Sequence, residues 1–305
     1  MTRGEAQGAD GVRPLRLGTF NIQHGRGDDG GRPDPERLER ALAGLGVDVL
    51  ALQEVDRLQP RSRGVDQVAL AARATGLPWV RFAPTLLGDV RSARTRTPVA
   101  RVPRALTTSP SGAAQSSGAP AYGVALLSRH PVLAWFVAPL PGPRGVMSRL
   151  RGRARHPAHR DGEPRVCLAA VVRAPDGLLV VASTHLTRTP RVAAQQLDVA
   201  LRGLATLARR SGVGNDEAVP AVLLGDLNLR RAAVDPVRTR QRFPVTVLAT
   251  ARTHPATAPT RQIDHVLGIG PIAAAGPAAA PRLDVSDHRP LTVEVLARRA
   301  GRPST

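Results

Sequence analysis

Residues 221–228 have the sequence AVLLGDLN, in which an apolar run ends in an aspartate and an asparagine. The run at 221–225 predicts a buried strand, because its apolar residues follow one another without polar alternation. Asp226 and Asn228 come next, and in an extended segment their carboxylate and amide lie on the same side. A buried strand that presents a carboxylate has to hydrogen-bond it, pair it with a charge or use it to bind a metal, since an unpaired buried charge is costly.

The same pattern recurs on both sides of this stretch. Asn21 comes at the end of the predicted strand 15–22, and Glu54 directly follows the predicted strand 47–53. Other polar residues lie within or beside apolar runs: His185, Asp264, His265, Asp287 and His288. If the adjacent pairs Asp264–His265 and Asp287–His288 each count once, these residues and Asp226 make six such places in one chain, which is more than chance would give. If the sheet is mixed, strands that run in opposite directions bring both kinds of strand end to one edge.

The rest of the sequence alternates between strand and helix patterns. Helices are predicted at 34–46, with Asp34 as cap and Pro35 at the first helical position, and at about 66–75, with Gly76 as stop. A third helix is predicted from Thr189 to about 212. Further strands are predicted at 122–128, 132–137, 166–172, 178–184, 263–267 and 291–296. This order indicates one α/β domain with many strands and few helices.

The domain boundaries follow from composition. We expect a disordered tail at 1–14, one domain at 15–297 and a basic tail at 298–305. Within the domain, residues 90–121 are rich in Ser, Thr, Pro, Gly and Ala, carry five arginines and contain no acidic residue. Because nothing in this segment is periodic, it predicts a long, mobile insertion rather than a separate domain.

The charge of the chain allows two interpretations. Its 305 residues include 43 basic and 24 acidic ones, which leaves a net charge of +19, and every basic residue is an arginine. Together with the abundant Ala, Gly and Pro, this bias is typical of GC-rich coding sequence. The alternative is a positive field that attracts phosphates and nucleic acid. The sequence leaves both interpretations open.

Composition also excludes several classes of protein. A hydrophobic content of 42% is enough for a real core, so wholesale disorder is excluded. No apolar run approaches the roughly 20 residues that span a bilayer, and the first residues lack the pattern of a secretory signal, so we expect no transmembrane anchor. The single cysteine, Cys167, excludes an intramolecular disulfide and a cysteine-rich zinc site. We therefore expect a cytoplasmic location.

The residue types at the strand ends suggest a reaction. Oxygen ligands without a thiolate favour Mg²⁺ or Mn²⁺ over zinc, and Glu54 is the best direct ligand. Asp226 can orient and deprotonate a water molecule, while the Asn228 amide fixes the geometry. His288 can donate to a phosphate oxygen if a carboxylate such as Asp264 fixes its tautomer and keeps it protonated. These are the parts needed for metal-assisted attack of water on phosphorus.

Seven motifs together resemble the endonuclease/exonuclease/phosphatase superfamily, which has a deoxyribonuclease-like fold. They occur in the family's order over residues 15–296: FNIQHGRG, LALQEVDR, YGVALLSRHP, STHL, LLGDLNL, QIDHVL and SDHRPL. Each motif alone is modest, but LQEVD, GDLN and SDHRP together are highly specific. The resemblance implies an α/β fold, a four-layer α/β/β/α sandwich in which two mixed β-sheets pack face to face and are flanked by helices.

The resemblance also implies roles for individual residues. It implies a metal site in which Glu54 binds Mg²⁺ and Asn21 and Asp287 help to hold it. It implies that Asp226 activates or aligns water with Asn228 beside it. It also implies that His185 and His288 contact the scissile phosphate. Asp264 would pair with His288.

The expected function is that of a metal-dependent phosphoric ester hydrolase that cleaves a phosphodiester or phosphate ester. A nuclease is the first choice, because arginine-rich loops would hold a polyanion. A small-molecule or lipid-head-group phosphatase is the alternative within the family. A non-catalytic nucleic-acid-binding module is the alternative from another class, and the intact set of site residues argues against it. We expect a monomer whose partner is the phosphoester substrate, with nucleic acid as one option.

Several residues also have structural explanations. Taken alone, Glu54 could pair with Arg57, and Asp226 with Asn228 could form a turn that hydrogen-bonds its own backbone. Taken alone, Asn21 and Asp287 could each cap a turn. His185 alone could be a core histidine whose hydrogen bonds are satisfied. Among the others, we expect His265 to pack structurally and Cys167 to be a buried, inert thiol. The role of His24 stays open, and Tyr122 either lines the cleft or only packs.

Overall fold

The computed structural model describes residues 13–27, 30–99, 118–142, 163–212 and 219–297. Most of the predicted N-terminal tail, residues 100–117 of the predicted insertion and the predicted tail at 298–305 lie outside the described residues. The domain boundaries therefore stay predictions.

The first of two sheets has seven strands and is mixed. Its members are β1 (Leu15–Asn21), β2 (Val49–Arg57), β3 (Trp79–Leu87), β4 (Thr97–Pro98), β5 (Ala121–Ser128), β12 (Ile272–Ala274) and β13 (Leu291–Ala297). They lie in the order β12-β13-β1-β2-β5-β3-β4. Only β1 and β2 are parallel, and the other neighbours are antiparallel.

The second sheet has six strands and is also mixed. Its members are β6 (Val132–Pro139), β7 (Val166–Ala174), β8 (Gly177–His185), β9 (Ala221–Asp226), β10 (Val245–Val247) and β11 (Asp264–Ile269). They lie in the order β10-β11-β9-β8-β7-β6, with β8 and β9 as the parallel pair. Each sheet therefore has one parallel pair near its centre.

Among the described residues, four helices cover the outer faces of the two sheets. They are α1 (Pro35–Ala43), α2 (Gln67–Thr75), α3 (Pro190–Ser211) and α4 (Arg231–Thr239), and two single turns of 3₁₀ helix lie at Gln23–Gly25 and Pro60–Ser62. The apolar faces of α1 and α2 pack on the first sheet, and those of α3 and α4 pack on the second. The predicted four-layer α/β/β/α sandwich is confirmed.

The alternation of side chains along β2 explains its continuous apolar sequence. Val49 and Ala51 point into the core between the sheets, whereas Leu50 and Leu52 point into the layer under α1 and α2. Both faces of the strand are therefore buried, as in central strands covered on two sides. The same arrangement applies in β9, where Leu224 faces the other sheet and Leu223 faces the helices.

The helix ends follow from local sequence. The Asp34 carboxylate accepts from the backbone N–H groups of Glu36 and Arg37 at 3.1 and 3.2 Å, which caps α1 as predicted. α2 ends at Gly76, whose φ of 64° is the left-handed conformation that favours glycine. α1 is shorter than predicted, because the chain turns at Gly44 after Ala43.

The structure also contains elements that the sequence analysis missed. Residues 97–98 of the predicted insertion pair with Leu86 and Leu87 of β3, so this part of the segment has regular structure. The strands β3, β10 and β12 and the helix α4 were not predicted either. Within the described ranges, no helix has the length and apolarity needed to cross a membrane.

Candidate active site

Strand register brings several candidate residues to one end of the sandwich. His185 at the end of β8 is the register partner of Asp226 at the end of β9, and Asp264 at the start of β11 is the antiparallel partner of Asp226. Asn21 ends β1 in the other sheet, and its Nδ2 donates across the gap to Asp226 Oδ2 at 3.0 Å. The site is therefore assembled from both sheets.

Glu54 lies within a strand rather than after one. The sequence analysis ended the strand at residue 53, but β2 continues through Glu54 to Arg57. The register of β2 against β5 shifts between Leu52 and Val55, and Glu54 has a φ of 55°. Such a bulge redirects a side chain out of the normal strand alternation. The half-buried Glu54 carboxylate accepts from Asn21 Nδ2 at 3.3 Å.

Asp226 is the hub of the hydrogen-bond network. Its Oδ2 accepts from Asn21, and its Oδ1 accepts from the backbone N–H of Asn228 at 2.9 Å. The turn that was the structural alternative for Asp226 and Asn228 is thus present, and the carboxylate also faces the other site residues. Burial raises the pKa of Asp226 to about 6, with the positive charge of His288 opposing that rise and Asp264 adding to it.

His288 is held as a cation by the carboxylates around it. Its Nδ1 is 2.8 Å from Asp264 Oδ2, which also accepts from Thr253 Oγ1 at 2.5 Å. Its Nε2 lies 3.8 Å from Asp226 Oδ2. Burial opposes the charged form, but the negative charges of Asp264 and Asp226 and the hydrogen bond to Asp264 outweigh it and raise the pKa of His288 to about 10.

His185, in contrast, is neutral. Burial, together with the positive charges of Arg165 and His288, lowers the pKa of this imidazole well below its usual value. The 3.4 Å approach of its Nε2 to Asp226 Oδ2 is therefore not an ion pair. Asn228 Nδ2 lies 3.2 Å from the same nitrogen and also donates to the carbonyl oxygen of Leu186 at 2.9 Å. Since Nε2 has either one proton or one lone pair, this geometry favours Nε2 as the acceptor from Asn228.

Asp287 lies on the far side of His288. Its Oδ1 is 3.9 Å from His288 Nε2, and its Oδ2 is 3.7 Å from His254 Nε2. Its backbone N–H donates to Gln23 Oε1 at 3.3 Å. Burial opposes ionisation, yet the hydrogen bond with His254 and the charge of His288 outweigh it and lower the pKa of Asp287.

Of the two acidic residues expected to hold a metal, Asp287 belongs to a compact group of acidic and imidazole side chains and Glu54 does not. Over the described ranges, the acidic and imidazole groups whose ligand atoms all lie within 4.8 Å of one another are His254–Asp287–His288 and Asp226–Asp264–His288. Glu54 belongs to neither and contacts Asn21, whose Oδ1 accepts from the backbone N–H of Gln23 at 3.0 Å. Asn21 thus presents its NH₂ group, not its oxygen, to Glu54.

The donor set nevertheless fits a hard divalent cation. The available donors are carboxylate oxygens, imidazole nitrogens and an amide, and the Oδ1 of Asp264 is buried without a hydrogen-bond partner in the described part of the chain. The only thiol is excluded, because Cys167 is buried in β7 and burial raises its pKa to about 12. Such oxygen-rich sites suit Mg²⁺ or Mn²⁺.

Three residues without a predicted role lie against the others. Ser286 Oγ donates to the carbonyl oxygen of Asn21 at 2.6 Å and accepts from the backbone N–H of His288 at 3.1 Å. It stands in the motif SDHRPL, so the sequence did contain a signal. Thr253 and the neighbouring His254, whose ring lies 4.8 Å from that of His288, come from an irregular segment that gave none.

The remaining candidates have contacts of their own. His265 is fully buried, with its Nε2 2.8 Å from the carbonyl oxygen of Leu229, which is a packing role. Arg57 lies over the ring of Phe82 at 5.1 Å instead of pairing with Glu54. The carbonyl oxygen of His24 accepts from Gln67 Nε2 at 2.7 Å and so anchors the turn after β1.

Solved structures with the same fold include proteins of different activity. An endonuclease/exonuclease/phosphatase from Beutenbergia cavernae is 21% identical with a TM-score of 0.65, covering 93% of this chain and 72% of that one. A mannosyl-6-phosphatase from Bacteroides thetaiotaomicron is 14% identical with a TM-score of 0.59, covering 92% and 99%. Truncated Caenorhabditis elegans TDP2 is 16% identical with a TM-score of 0.52, covering 93% and 98%. At these identities the likeness shows the fold.

The sequence comparison identifies the family. No curated protein matches the chain. The family model described as "Endonuclease/Exonuclease/phosphatase family" matches residues 18–288, which include every predicted site residue. The resemblance carried by the seven motifs is confirmed. The chain therefore belongs to the endonuclease/exonuclease/phosphatase family, whose members are phosphoric ester hydrolases.

Proposed function

We propose that the protein hydrolyses phosphodiesters by attack of water on phosphorus in the presence of a divalent metal, with nuclease-type cleavage as the first choice. One observation carries the proposal. A buried carboxylate, Asp226, lies between a neutral histidine and a cationic one, His185 and His288, at the edge where both sheets meet. This combination provides a proton acceptor and a proton donor in one site.

Asp226 is the group that orients and deprotonates the attacking water. A carboxylate with a pKa near 6 is a stronger base than an exposed aspartate and is still ionised at neutral pH. Hydrogen bonds from Asn21 and Asn228 fix both of its oxygens, so that the water is presented in one orientation. Such fixed alignment is a large part of enzymatic rate enhancement.

His288 is the group that faces the negative charge developing on the phosphate. Its Nδ1 is tied to Asp264, which leaves Nε2 to donate to a phosphate oxygen. Asp264 and Thr253 hold the ring in place, so no reorganisation is needed when the charge develops. His185 completes the wall of the phosphate site from β8.

Glu54 with Asn21, and Asp287 beside His288, are the residues that would hold Mg²⁺ or Mn²⁺. When bound, the metal supplies Lewis-acid polarisation of a phosphoryl oxygen. For Asn21 to offer its oxygen, its amide has to rotate away from the backbone N–H of Gln23, which it now accepts from. Placement of Mg²⁺ here is part of the proposal.

Exposed arginines beyond the strand ends support a polyanionic substrate. Arg188 follows His185 by three residues, Arg230 follows Asn228 by two, and both side chains are exposed. They provide positive charge at the rim where the site opens, which is the arrangement that holds a phosphate backbone. A phosphate monoester is the second candidate, since one protein of the same fold is a mannosyl-6-phosphatase.

The expectations of a monomer and of a cytoplasmic location remain part of this proposal. The support for the location is that Cys167, the single cysteine, is a buried free thiol. A reducing compartment keeps such a thiol free. Analytical ultracentrifugation tests the oligomeric state.

The function is tested with a substrate panel and a metal chelator. We expect Mg²⁺- or Mn²⁺-dependent hydrolysis of bis-p-nitrophenyl phosphate in preference to p-nitrophenyl phosphate, and cleavage of plasmid DNA or RNA. Glu54→Gln should lose most turnover and keep its circular dichroism spectrum, because the amide keeps the packing but loses the charge that a cation needs. Hydrolysis that survives both the chelator and Glu54→Gln would contradict the proposal. A clear preference for sugar phosphates would favour the second candidate.

A further inference from the structure

A second polar group lies beside Glu54. Asp56 follows two residues later on β2, and Tyr122 on β5 is its register partner. Arg61, from the turn after β2, donates from Nε and Nη2 to the two carboxylate oxygens of Asp56 at 2.8 and 2.7 Å. The guanidinium also lies over the Tyr122 ring, 5.2 Å from its centre. The position of Arg61 is therefore fixed by both a bidentate pair and a ring face.

This ion pair is an unusual choice for a purely structural contact. The Asp56 side chain is fully buried, and that of Arg61 is only 22% exposed. Burying an ion pair costs desolvation energy that the attraction often only balances, so apolar residues would fill the space as well. A buried aspartate that fixes the orientation of an arginine is instead the usual way to preorganise a binding group.

Part of the guanidinium remains available for binding. It has five N–H donors, and Asp56 uses Nε and one hydrogen of Nη2. Nη1 has no acceptor within the part of the chain that the structure describes, and the side chain reaches solvent. Its partner Asp56 lies two residues from Glu54 on β2, so the arginine is on the same part of the strand as the proposed metal carboxylate.

The N–H donors that Asp56 leaves free on Arg61 suit phosphate oxygens and not a metal ion. The pair with Asp56 is neutral overall, so these free donors, rather than net charge, are what the arginine offers to a substrate. In the proposed mechanism the residues around Asp226 face the phosphate that is cleaved, which leaves the Arg61 donors for another phosphate.

Resting on the proposed function, we propose that Arg61 binds a second, non-scissile phosphate of the substrate. The preferred substrates are then phosphoesters in which another phosphate group lies next to the one that is cleaved. A guanidinium suits this role because its planar fork matches two phosphate oxygens. The neighbouring phosphate comes either from a nucleic-acid strand or from a bisphosphorylated small molecule, which share this chemistry.

The test compares substrates that differ by one non-scissile phosphate. For the nucleic-acid arm we would measure kcat/KM for the thymidine dinucleotide with and without a 5′- or 3′-terminal phosphate. For the small-molecule arm we would compare glucose 1,6-bisphosphate with glucose 6-phosphate. The variants are Arg61→Gln and Arg61→Lys. The matched control is Arg63→Gln, which removes the same charge from an exposed side chain two residues away.

We expect the wild-type protein to prefer the doubly phosphorylated member of one pair by about tenfold or more, the effect of one charge-assisted contact. Arg61→Gln should abolish that preference, Arg61→Lys should retain part of it, and Arg63→Gln should leave it within about twofold. Melting temperatures show whether the variants fold. Absence of any preference, or a preference that Arg61→Gln retains, overturns the inference.

A binding measurement separates this inference from the proposed function. Calorimetric titration with thymidine 3′,5′-bisphosphate and thymidine 5′-monophosphate needs no turnover. If no substrate is hydrolysed but the bisphosphate binds about tenfold more tightly in an Arg61-dependent way, the proposed function fails and the role of Arg61 stands. If substrates are hydrolysed but Arg61→Gln changes neither ratio, the role of Arg61 fails and the proposed function stands.

Discussion

The two histidines beside Asp226 show how environment decides chemistry at a single residue. Both side chains are buried, and burial disfavours the charged form of each. His288 has Asp264 at 2.8 Å and stays protonated, whereas at His185 burial is reinforced by the positive charges of Arg165 and His288, so this imidazole is neutral. Two identical side chains thereby become a donor and an acceptor in one site.

Substitutions at Asp226 and His288 should reduce turnover strongly. We expect Asp226→Asn to lower kcat by on the order of 10² or more, because general-base and alignment effects are of that size. His288→Ala should cost at least as much if it contacts the charge developing on phosphorus. Asp284→Asn, which removes an exposed carboxylate, is the control. Retention of more than about half of the wild-type kcat by both site variants would show that the site has been misassigned.

The raised pKa of His288 also predicts a pH dependence of stability. The folded protein keeps this proton up to about pH 10, whereas the unfolded chain releases it near the usual 6.5. The stabilisation from His288 is therefore fully present below pH 6.5 and is lost as pH rises towards 10. We would measure the free energy of unfolding of the wild type and of His288→Gln in chelator. Their difference should shrink over this range, and a constant difference would contradict the assigned charge.

Part of the site was predictable from single residues and part was not. Asp226, Asp264 and His288 interrupt or flank apolar runs, so their polarity alone marked them. Arg61 lies in a single turn of 3₁₀ helix and Thr253 in an irregular segment, where an arginine or a threonine is unremarkable. Their partners, Asp56 and Asp264, are known only from the contacts in the folded protein, which a sequence pattern does not contain.

At the scale of elements, the approach of β8 to β9 depends on one glycine. Gly225 has a φ of 159°, and a Cβ built there would lie 2.0 Å from the carbonyl oxygen of Thr184. No side chain fits at that distance, so the backbones of the two parallel strands approach closely only because residue 225 is glycine. Thr184 is followed by His185 and Gly225 by Asp226, and both of these following residues belong to the site.

Gly225→Ala should therefore affect stability and activity together. The clash is with backbone, so the strands have to separate, and we expect a loss of roughly 1–3 kcal/mol or more in unfolding free energy. Gly203→Ala is the matched control, because Gly203 is exposed on α3 with no atom within 4 Å of the added Cβ. That change should stabilise by about 0.5–1 kcal/mol. Equal unfolding midpoints for both variants would refute the close approach.

The elements also differ in how well sequence predicts them. β1, β2 and α2 carry strong patterns, either uninterrupted apolar runs or a capped helix that ends at glycine. β3 contains Pro84, and α4 contains Pro236 and begins after Arg230, which makes no side-chain cap. Proline and the missing cap argue locally against regular structure, and tertiary packing of Val234 and Val237 overrides them.

At the scale of the whole molecule, the charge of +19 predicts salt-sensitive binding of polyanions. With Glu54→Gln to prevent cleavage, log K for duplex DNA should fall linearly with log[salt], by about 0.9 per neutralised phosphate. Deleting residues 100–117 removes Arg101 and Arg104 but keeps β4. We expect this deletion to flatten the slope and to leave kcat/KM for a small phosphate ester unchanged. An unaltered slope would favour codon bias as the origin of these arginines.

The division of the site between two sheets has a mechanical consequence. Asn21 belongs to the first sheet and Asp226 to the second, and one hydrogen bond of 3.0 Å joins them. Sliding one sheet past the other by a single residue, about 3.3 Å, would lengthen that distance to about 4.5 Å, beyond hydrogen-bond range, while leaving every ladder within each sheet intact. Denaturant that loosens the packing between the two sheets should therefore abolish hydrolytic activity at concentrations where the circular dichroism spectrum is still that of the folded protein.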